Sequence, residues 1–221
     1  MAVYLILGAG KFGRLAQKRL PQQDASAHLV VVEQDPQALK EAQSLSLGRV
    51  TWVAAEALAY LRENLTDSPP WDWLIPMVPI HVAYVWLTEA LREEGDWETL
   101  KVPGEVGNLV PTVHRGPQGE LYLSRATHLC PDDCAEPEVC PVSGEARDRA
   151  LYEELAELAL PDCRLLIIPS RQLAPGVGGY SPRELLHLKQ ALSGYQGKAL
   201  IATACRCHGV AHLIRRRARE R

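Results

Sequence analysis

Residues 3–7, Val-Tyr-Leu-Ile-Leu, run straight into Gly8-Ala9-Gly10-Lys11-Phe12-Gly13, and this junction constrains the chain more than any other stretch. A short apolar run stopped by glycine predicts a buried strand. Phe12, Leu15, Ala16 and Leu20 then recur at helical spacing and predict an apolar stripe packed on a sheet, with Pro21 ending the helix. A second apolar run, residues 29–32, closes on Glu33. Strand, glycine turn, helix, strand and acid follow in the order a dinucleotide-binding crossover requires. Gly8 permits the tight turn, Gly10 lets the backbone approach a pyrophosphate, and Gly13 lets the helix pack against the strand. The helix start offers unpaired N–H groups to phosphate oxygens. Lys11 and Phe12 open that helix and are expected beside the cofactor.

Glu33 lies at about the ~20-residue spacing expected of a carboxylate that accepts from a ribose hydroxyl. Asp35 competes for the role, but Pro36 follows it, which makes Asp35 a helix cap with proline at the first helical position. Glu33 is therefore the ribose candidate. Its charge would repel a 2′-phosphate, so NAD is favoured over NADP, although Lys11 and Arg14 offer some compensation.

Beyond this unit, residues 49–54 read as a third strand and residues 56–64 as a helix. Residues 73–78 read as a fourth strand and residues 80–92 as an apolar helix. Alternating strands and helices predict an α/β fold with a Rossmann-like parallel sheet. Ligands of such sheets lie beyond the carboxyl ends of the strands.

The stretches Ile6-Leu7-Gly8-Ala9-Gly10-Lys11-Phe12-Gly13 and Val30-Val31-Val32-Glu33-Gln34-Asp35-Pro36 resemble the nucleotide-binding domain of Trk-type potassium-uptake regulators, the TrkA-N (RCK N-terminal) group. The resemblance covers roughly residues 1–65. It implies that Gly8, Gly10, Gly13 and Glu33 hold NAD or a related nucleotide. Where that family has Gly-Asp after its third strand, this chain has Ala54-Ala55-Glu56.

His81 is expected in the first turn of the fourth helix, where the positive end of the helix dipole disfavours an imidazolium. It is a candidate for substrate or nicotinamide contact, against a plain structural histidine. Residues 109–114 and 120–124 flank Gly116-Pro117-Gln118-Gly119 and predict a β-hairpin.

The chain has six cysteines. Cys130, Cys134 and Cys140 lie in the proline-rich stretch 128–141, which suits neither helix nor strand, and a bound metal would order such a loop. Cys205 and Cys207 follow the apolar strand 199–203, with His208 beside them. Cys130, Cys134 and Cys140 together with Cys205 or Cys207 make a candidate metal centre. Zinc is a common tenant of such clusters. The prolines after Cys130 and Cys140 also resemble ferredoxin-type sequences, which favours an iron–sulfur cluster. His128 and His114 are expected as structural or surface histidines, with ligation as the alternative. Cys163, beside an apolar strand, is expected to be a small buried hydrophobe.

Residues 143–160 read as a Leu- and Glu-rich helix. Ser170 and Arg171 open a stretch with Gly176, Gly178 and Gly179 that suits either an anion-binding loop or plain turns. Residues 181–192 read as a helix and 198–203 as a strand, completing a C-terminal βαβ unit that either joins the first sheet or builds a companion. The run 213–221 carries five arginines. It reads as the solvated end of a helix, and nucleic acid is disfavoured as a partner.

The expected architecture is thus a nucleotide-binding domain over residues 1–108, followed by the hairpin, the Cys-rich loop and the α/β unit over 109–221. A net charge of −3 makes no case for nucleic acid or membrane. The absence of a recognisable leader or of a run of ~18 apolar residues leads to the expectation of a cytoplasmic protein with no membrane span. The function expected is hydride or electron transfer between NAD, a metal centre and a small-molecule substrate or redox partner. His81, Ser170 and Arg171 are the substrate-facing candidates. The rival reading is a nucleotide or redox sensor without turnover, and homo-oligomerisation is left open.

Overall fold

The computed structural model of the chain describes residues 1–45 and 48–217. The elements run β1 (Val3–Leu7), α1 (Lys11–Gln23), β2 (His28–Glu33), α2 (Pro36–Ser44), β3 (Arg49–Ala54), α3 (Ala57–Asn64) and β4 (Trp73–Pro76). Then come α4 (Val82–Ala90), β5 (Trp97–Leu100), α5 (Gly104–Gly107), β6 (Thr112–Arg115), β7 (Leu121–Ser124) and α6 (Leu151–Ala156). The chain continues through β8 (Cys163–Pro169), β9 (Arg171–Ala174), β10 (Val177–Gly179), α7 (Arg183–Leu192), β11 (Lys198–Ala204) and β12 (His208–Arg216). The fold is mixed α/β.

Two compact units divide the chain: Met1–Val82 with Arg171–Leu186, and Ala83–Ser170 with His187–Arg221. The expected boundary at 108/109 gives way to one at Val82/Ala83. The reason is that β5 pairs with β12 and so belongs to the later sheet.

The first unit is built on a parallel sheet of order β3-β2-β1-β4. Leu5, Ile6, Leu7, Leu29, Val31 and Val32 are fully buried in its central strands, as expected of parallel strands covered on both faces. The expected cap at Asp35 holds, its side chain accepting from the Ala38 N–H at 2.8 Å. Glu56, read from the sequence as a helical residue, instead caps α3 by accepting from Leu58 and Ala59. The buried stripe of α1 is Gly13, Ala16, Gln17 and Leu20. Phe12, expected on that stripe, is exposed, and Pro21 lies inside the helix rather than ending it. The glycine-rich stretch after Ser170 is the hairpin β9–β10, and Ala174 and Val177 join the core of this unit. Of the two readings of this stretch, its glycines shape an antiparallel turn. Tyr180 continues the segment and exchanges backbone hydrogen bonds with Leu74 at 2.8 and 3.0 Å.

The second unit carries its own sheet, of order β6-β7-β12-β11-β8, with β5 also on β12. Strands β8 and β11 are parallel, as the βαβ reading requires, and they build this separate sheet. Two expected helices shrink or vanish. Of residues 143–160 only α6 is helical, because residues 141–147 turn back on the Cys-rich loop (the Cys140 N–H donates to Glu145 O at 2.8 Å). The basic run is strand, not helix: β12 extends to Arg216, Arg215 pairs with Glu98, and Arg217 pairs with Asp96. Residues 218–221 of that run lie outside the described residues. Among the described residues no helix is long and apolar enough to cross a membrane.

His212, in the middle of β12, is 4% exposed and stacks on Tyr84 with ring centroids 3.8 Å apart. Burial holds its imidazole down to about 4, against an opposing pull from Glu120. The unfolded chain takes up this proton from about pH 6.5 downward, whereas the folded chain resists it. The resulting stability is complete above that pH and drains away towards pH 4. The urea midpoint should therefore fall between pH 7 and pH 5, and His212→Gln should flatten the fall. Parallel pH profiles for the two proteins would contradict this account of His212.

Candidate functional site

Two sets of side chains have a chemical interest, one in each unit. In the first unit, β1 ends at a turn in which Gly8 has φ +98°, a conformation that side chains with a Cβ rarely adopt. A Cβ on Gly8 would lie 2.8 Å from the Met77 carbonyl oxygen, and one on Gly13 would overlap the Gly8 carbonyl. These two contacts seat the start of α1 directly against the end of β1. The Gly8 N–H donates to Val32 O at 2.8 Å.

Glu33 is less free than the sequence suggests. Its Oε2 accepts from the Ala9 N–H and its Oε1 from the Asp35 N–H, both at 2.8 Å. The carboxylate is thereby fixed at the mouth of the glycine turn. Each oxygen keeps a further lone pair for another donor. Helix α1 begins at Gly10 with no side-chain cap and no acid in its first turn, so the carboxylate near its start comes from Glu33 at the end of β2. At Gly10 a Cβ would meet nothing within 4 Å. Arg14 is tied to Ala9 O at 3.3 Å and to Glu41 at 3.1 Å, and the Lys11 ammonium lies 5.1 Å from the centroid of the Phe12 ring.

The three substrate-facing candidates are distributed as follows. His81 is buried and directly precedes α4, one residue before the helix rather than in its first turn. Arg171 opens β9 and pairs with Gly179 in the first unit. Ser170 belongs to the second unit, where its N–H donates to Ala204 O at 2.8 Å.

In the second unit the two cysteine stretches meet. Residues 205–208 form the turn between β11 and β12, closed by the Cys205 N–H donating to His208 O at 2.8 Å. The mid-chain loop is pinned to that turn. The Arg206 N–H donates to Glu136 Oε2 at 3.3 Å, and the Arg206 guanidinium donates to Arg147 O at 2.6 Å. The Leu151 N–H donates to Arg206 O at 3.0 Å, and the Arg125 N–H donates to Cys207 O at 2.9 Å. Cys130 Sγ then lies 3.6 Å from His208 Nε2, and Cys140 Sγ lies 3.8 Å from His128 Nε2. On the other side of the His208 ring, Nδ1 is 4.0 Å from Cys205 Sγ, which also accepts the His208 backbone N–H at 3.3 Å. Among the described residues no three His, Cys, Asp or Glu side chains are gathered closely enough to hold an ion as they stand. Thiols and imidazoles meet in pairs.

The electrostatics separate these thiols. Burial raises Cys130, with Cys134 and Cys140 adding to the rise and Arg147 opposing it. Burial raises Cys207 in the same way, again against Arg147. Cys205 is raised furthest, by burial and by the Glu136 carboxylate. Cys140 goes the other way, to about 6, because the Ser143 hydroxyl, the backbone N–H groups of Ser143 and Val142, and His128 favour its thiolate. His208 is lowered by burial, with Arg147 contributing. Arg147 is itself buried; it pairs with Glu145 at 2.9 Å and donates to Arg125 O at 3.2 Å, while its Nε has no partner.

Sequence reasoning placed the cysteines and missed their charged neighbours Glu136, Arg147 and Arg206. Arg147 was hidden by the helix expected over that stretch, and only the acid–proline alternation around Glu136 hinted at a loop that folds back. Cys163, expected to be buried, is only half-buried where it packs against the apolar core, and His114 lies exposed beside Tyr122.

A family model, AF_1314_C, described as "Uncharacterized protein, C-terminal domain", matches residues 83–217, so its match begins at the first residue of the second unit. An "Uncharacterized protein" of Archaeoglobus fulgidus is 34% identical over 229 residues, covering 96% of this chain and 99% of the relative. No solved structure matches.

In metal-free, reduced protein at pH 7, iodoacetamide should alkylate Cys140 before the other five cysteines. Its rate should fall as pH drops through about 6, because only the thiolate attacks. Ser143→Ala should slow Cys140 alone. Peptide mapping that finds Cys205 or Cys207 modified first would contradict these assignments.

Proposed function

The chain belongs to the AF_1314_C family, and we propose that it is an NAD-binding redox protein whose second unit carries a cysteine-ligated metal centre. The observation that carries the nucleotide reading is the space at Gly10. No contact within the chain demands glycine there, yet the position opens an uncapped helix at the carboxyl edge of β1. The strand order β3-β2-β1-β4 matches the opening of the Rossmann order, in which the dinucleotide lies where that order reverses, between β1 and β4. On this reading the N–H groups of Lys11, Phe12 and Gly13 receive the pyrophosphate. Glu33, already held by Ala9 and Asp35, accepts from the adenosine ribose and disfavours the 2′-phosphate of NADP. The resemblance to TrkA-N domains supports the same assignment.

The residues of the second unit fit a metal. Thiols and imidazoles from two remote stretches are pinned together by hydrogen bonds from the turn at Arg206 and Cys207 to the mid-chain loop. Cys130, Cys134 and Cys140, with Cys205 or Cys207, would hold an iron–sulfur cluster or zinc. A bound cluster would supply one-electron chemistry and zinc a structural or Lewis-acid role. On this reading the reaction class is hydride or electron transfer, with His81 and Arg171 of the first unit as the substrate-facing candidates. The sensor reading uses the same binding groups without turnover.

Calorimetric titration with NAD tests the nucleotide site. Wild type should bind, and Gly10→Asp should bind at least about tenfold more weakly, a loss of ~1.4 kcal/mol, with an unchanged thermal midpoint because the new side chain meets no protein atom within 4 Å of its Cβ. Glu33→Gln should narrow the preference for NAD over NADP. Oxidation of NADH with artificial acceptors then separates enzyme from sensor: turnover lost in Gly10→Asp supports the enzyme, and binding without turnover supports the sensor. No binding of either nucleotide would refute the proposal.

A further inference from the structure

We infer that the centre in the second unit is a mixed site, in which two thiolates and two imidazoles, from Cys130, Cys140, His128 and His208, close on one divalent ion of the zinc class. The inference rests on the metal reading above and replaces its sulfur-only ligand set.

The distances carry it. With Zn–S of about 2.3 Å and Zn–N of about 2.0–2.1 Å, a thiolate and an imidazole on one tetrahedral ion stand about 3.6 Å apart. The Cys130–His208 pair is at 3.6 Å and the Cys140–His128 pair at 3.8 Å. Each pair thus has the spacing of one edge of such a tetrahedron, with Nε2 facing the sulfur both times. Among the described residues the two pairs are not gathered on one point, and metal binding would have to draw them together. The sequence supplies the donors economically. His128, Cys130 and Cys140 come from one loop, and His208 comes from the turn to which that loop is pinned through Arg206.

Cys205 has a different job from the one its neighbours suggest. Its Sγ accepts the His208 N–H at 3.3 Å and stands 4.0 Å from Nδ1. Ligating histidines characteristically have their second nitrogen held by a partner that fixes the ring. Cys205 therefore positions His208, aiming Nε2 at Cys130.

Charge points the same way. Two thiolates and a divalent cation sum to zero, whereas four thiolates leave two negative charges beside Glu136. The nearest guanidinium groups have little charge to spare: Arg147 is paired with Glu145 at 2.9 Å and Arg125 with Glu154 at 2.5 Å. Drawing the two pairs together would also order residues 128–147, which lack helix or strand; a metal commonly supplies that folding energy. Cys134 and Cys207 are left as flanking thiols.

Cobalt(II) titration of the full, metal-free, reduced chain tests the site, with zinc affinity measured by competition against a chromophoric chelator. One equivalent of cobalt should give tetrahedral d–d bands with the charge-transfer intensity of two thiolates, and zinc should displace it. His128→Ala and His208→Ala should each weaken zinc binding by about tenfold or more and change the d–d bands, while Cys134→Ser and Cys207→Ser stay within about twofold of wild type. Far-ultraviolet circular dichroism of each apo variant, together with His208→Gln as the milder change, guards against misfolding. A spectrum of four-thiolate type that ignores both histidines, or a brown iron-loaded centre lost in Cys134→Ser, would overturn the mixed site and leave the metal reading standing. No uptake of cobalt, zinc or iron would overturn both.

Discussion

The contact between Gly13 and the carbonyl of Gly8 is the constraint from which the first unit follows. A helix seated that closely on the strand before it cannot slide or tilt, so its free N–H groups are fixed at the carboxyl edge of β1. The same closeness leaves Gly8 facing Met77 at a positive φ, with no tolerance for a Cβ. Glu33 bridges the same turn, accepting from the Ala9 and Asp35 N–H groups at 2.8 Å each. The consequence is a carboxylate held in place by the chain itself, and on the proposed nucleotide reading an acceptor locked before any ligand arrives. Preorganisation of this kind spares the ordering cost that a mobile carboxylate would incur on binding.

In the second unit the organising element is the four-residue turn between β11 and β12. The strands fix the turn, and the turn fixes the loop: Arg206 holds Glu136 by its amide and Arg147 by its guanidinium. A loop rich in proline and acid, with little apolar surface to bury, is thus positioned by backbone hydrogen bonds instead of a core. That explains how a segment almost without regular structure brings thiols to within 4 Å of imidazoles. It also explains why their environments diverge, with Cys205 half-buried beside a carboxylate and Cys140 favoured as thiolate by the hydroxyl and amides of a tight turn.

What the sequence disclosed was local. Asp35 before Pro36 marked a helix start, and residues 49–54 matched β3 to the residue, because caps and apolar runs act over a few positions. The glycine turn was legible for the same reason. Long-range partners were not. Residues 171–179 look like a glycine loop in isolation and become a hairpin only because α1 and β4 offer a surface for Ala174 and Val177. The arginines at the end of β12 suit a helix terminus until Glu98 and Asp96 are placed opposite them. Residues 143–150 have helix-favouring composition, but hydrogen bonds from Cys140 and Arg147 hold them as turn and extended chain. In the candidate centre the cysteines announced themselves by spacing, whereas the placement of Arg147 and of His208 depends on contacts 59 and 78 residues away in sequence.

The account stands or falls on the dinucleotide at the glycine turn. Amide chemical shifts of ¹⁵N-labelled protein, followed as NADH is added, address it residue by residue. The account predicts that the N–H signals of residues 9–13 and of Asp35 move together and saturate. Shifts confined to other parts of the chain, or none at all at millimolar NADH, would contradict it.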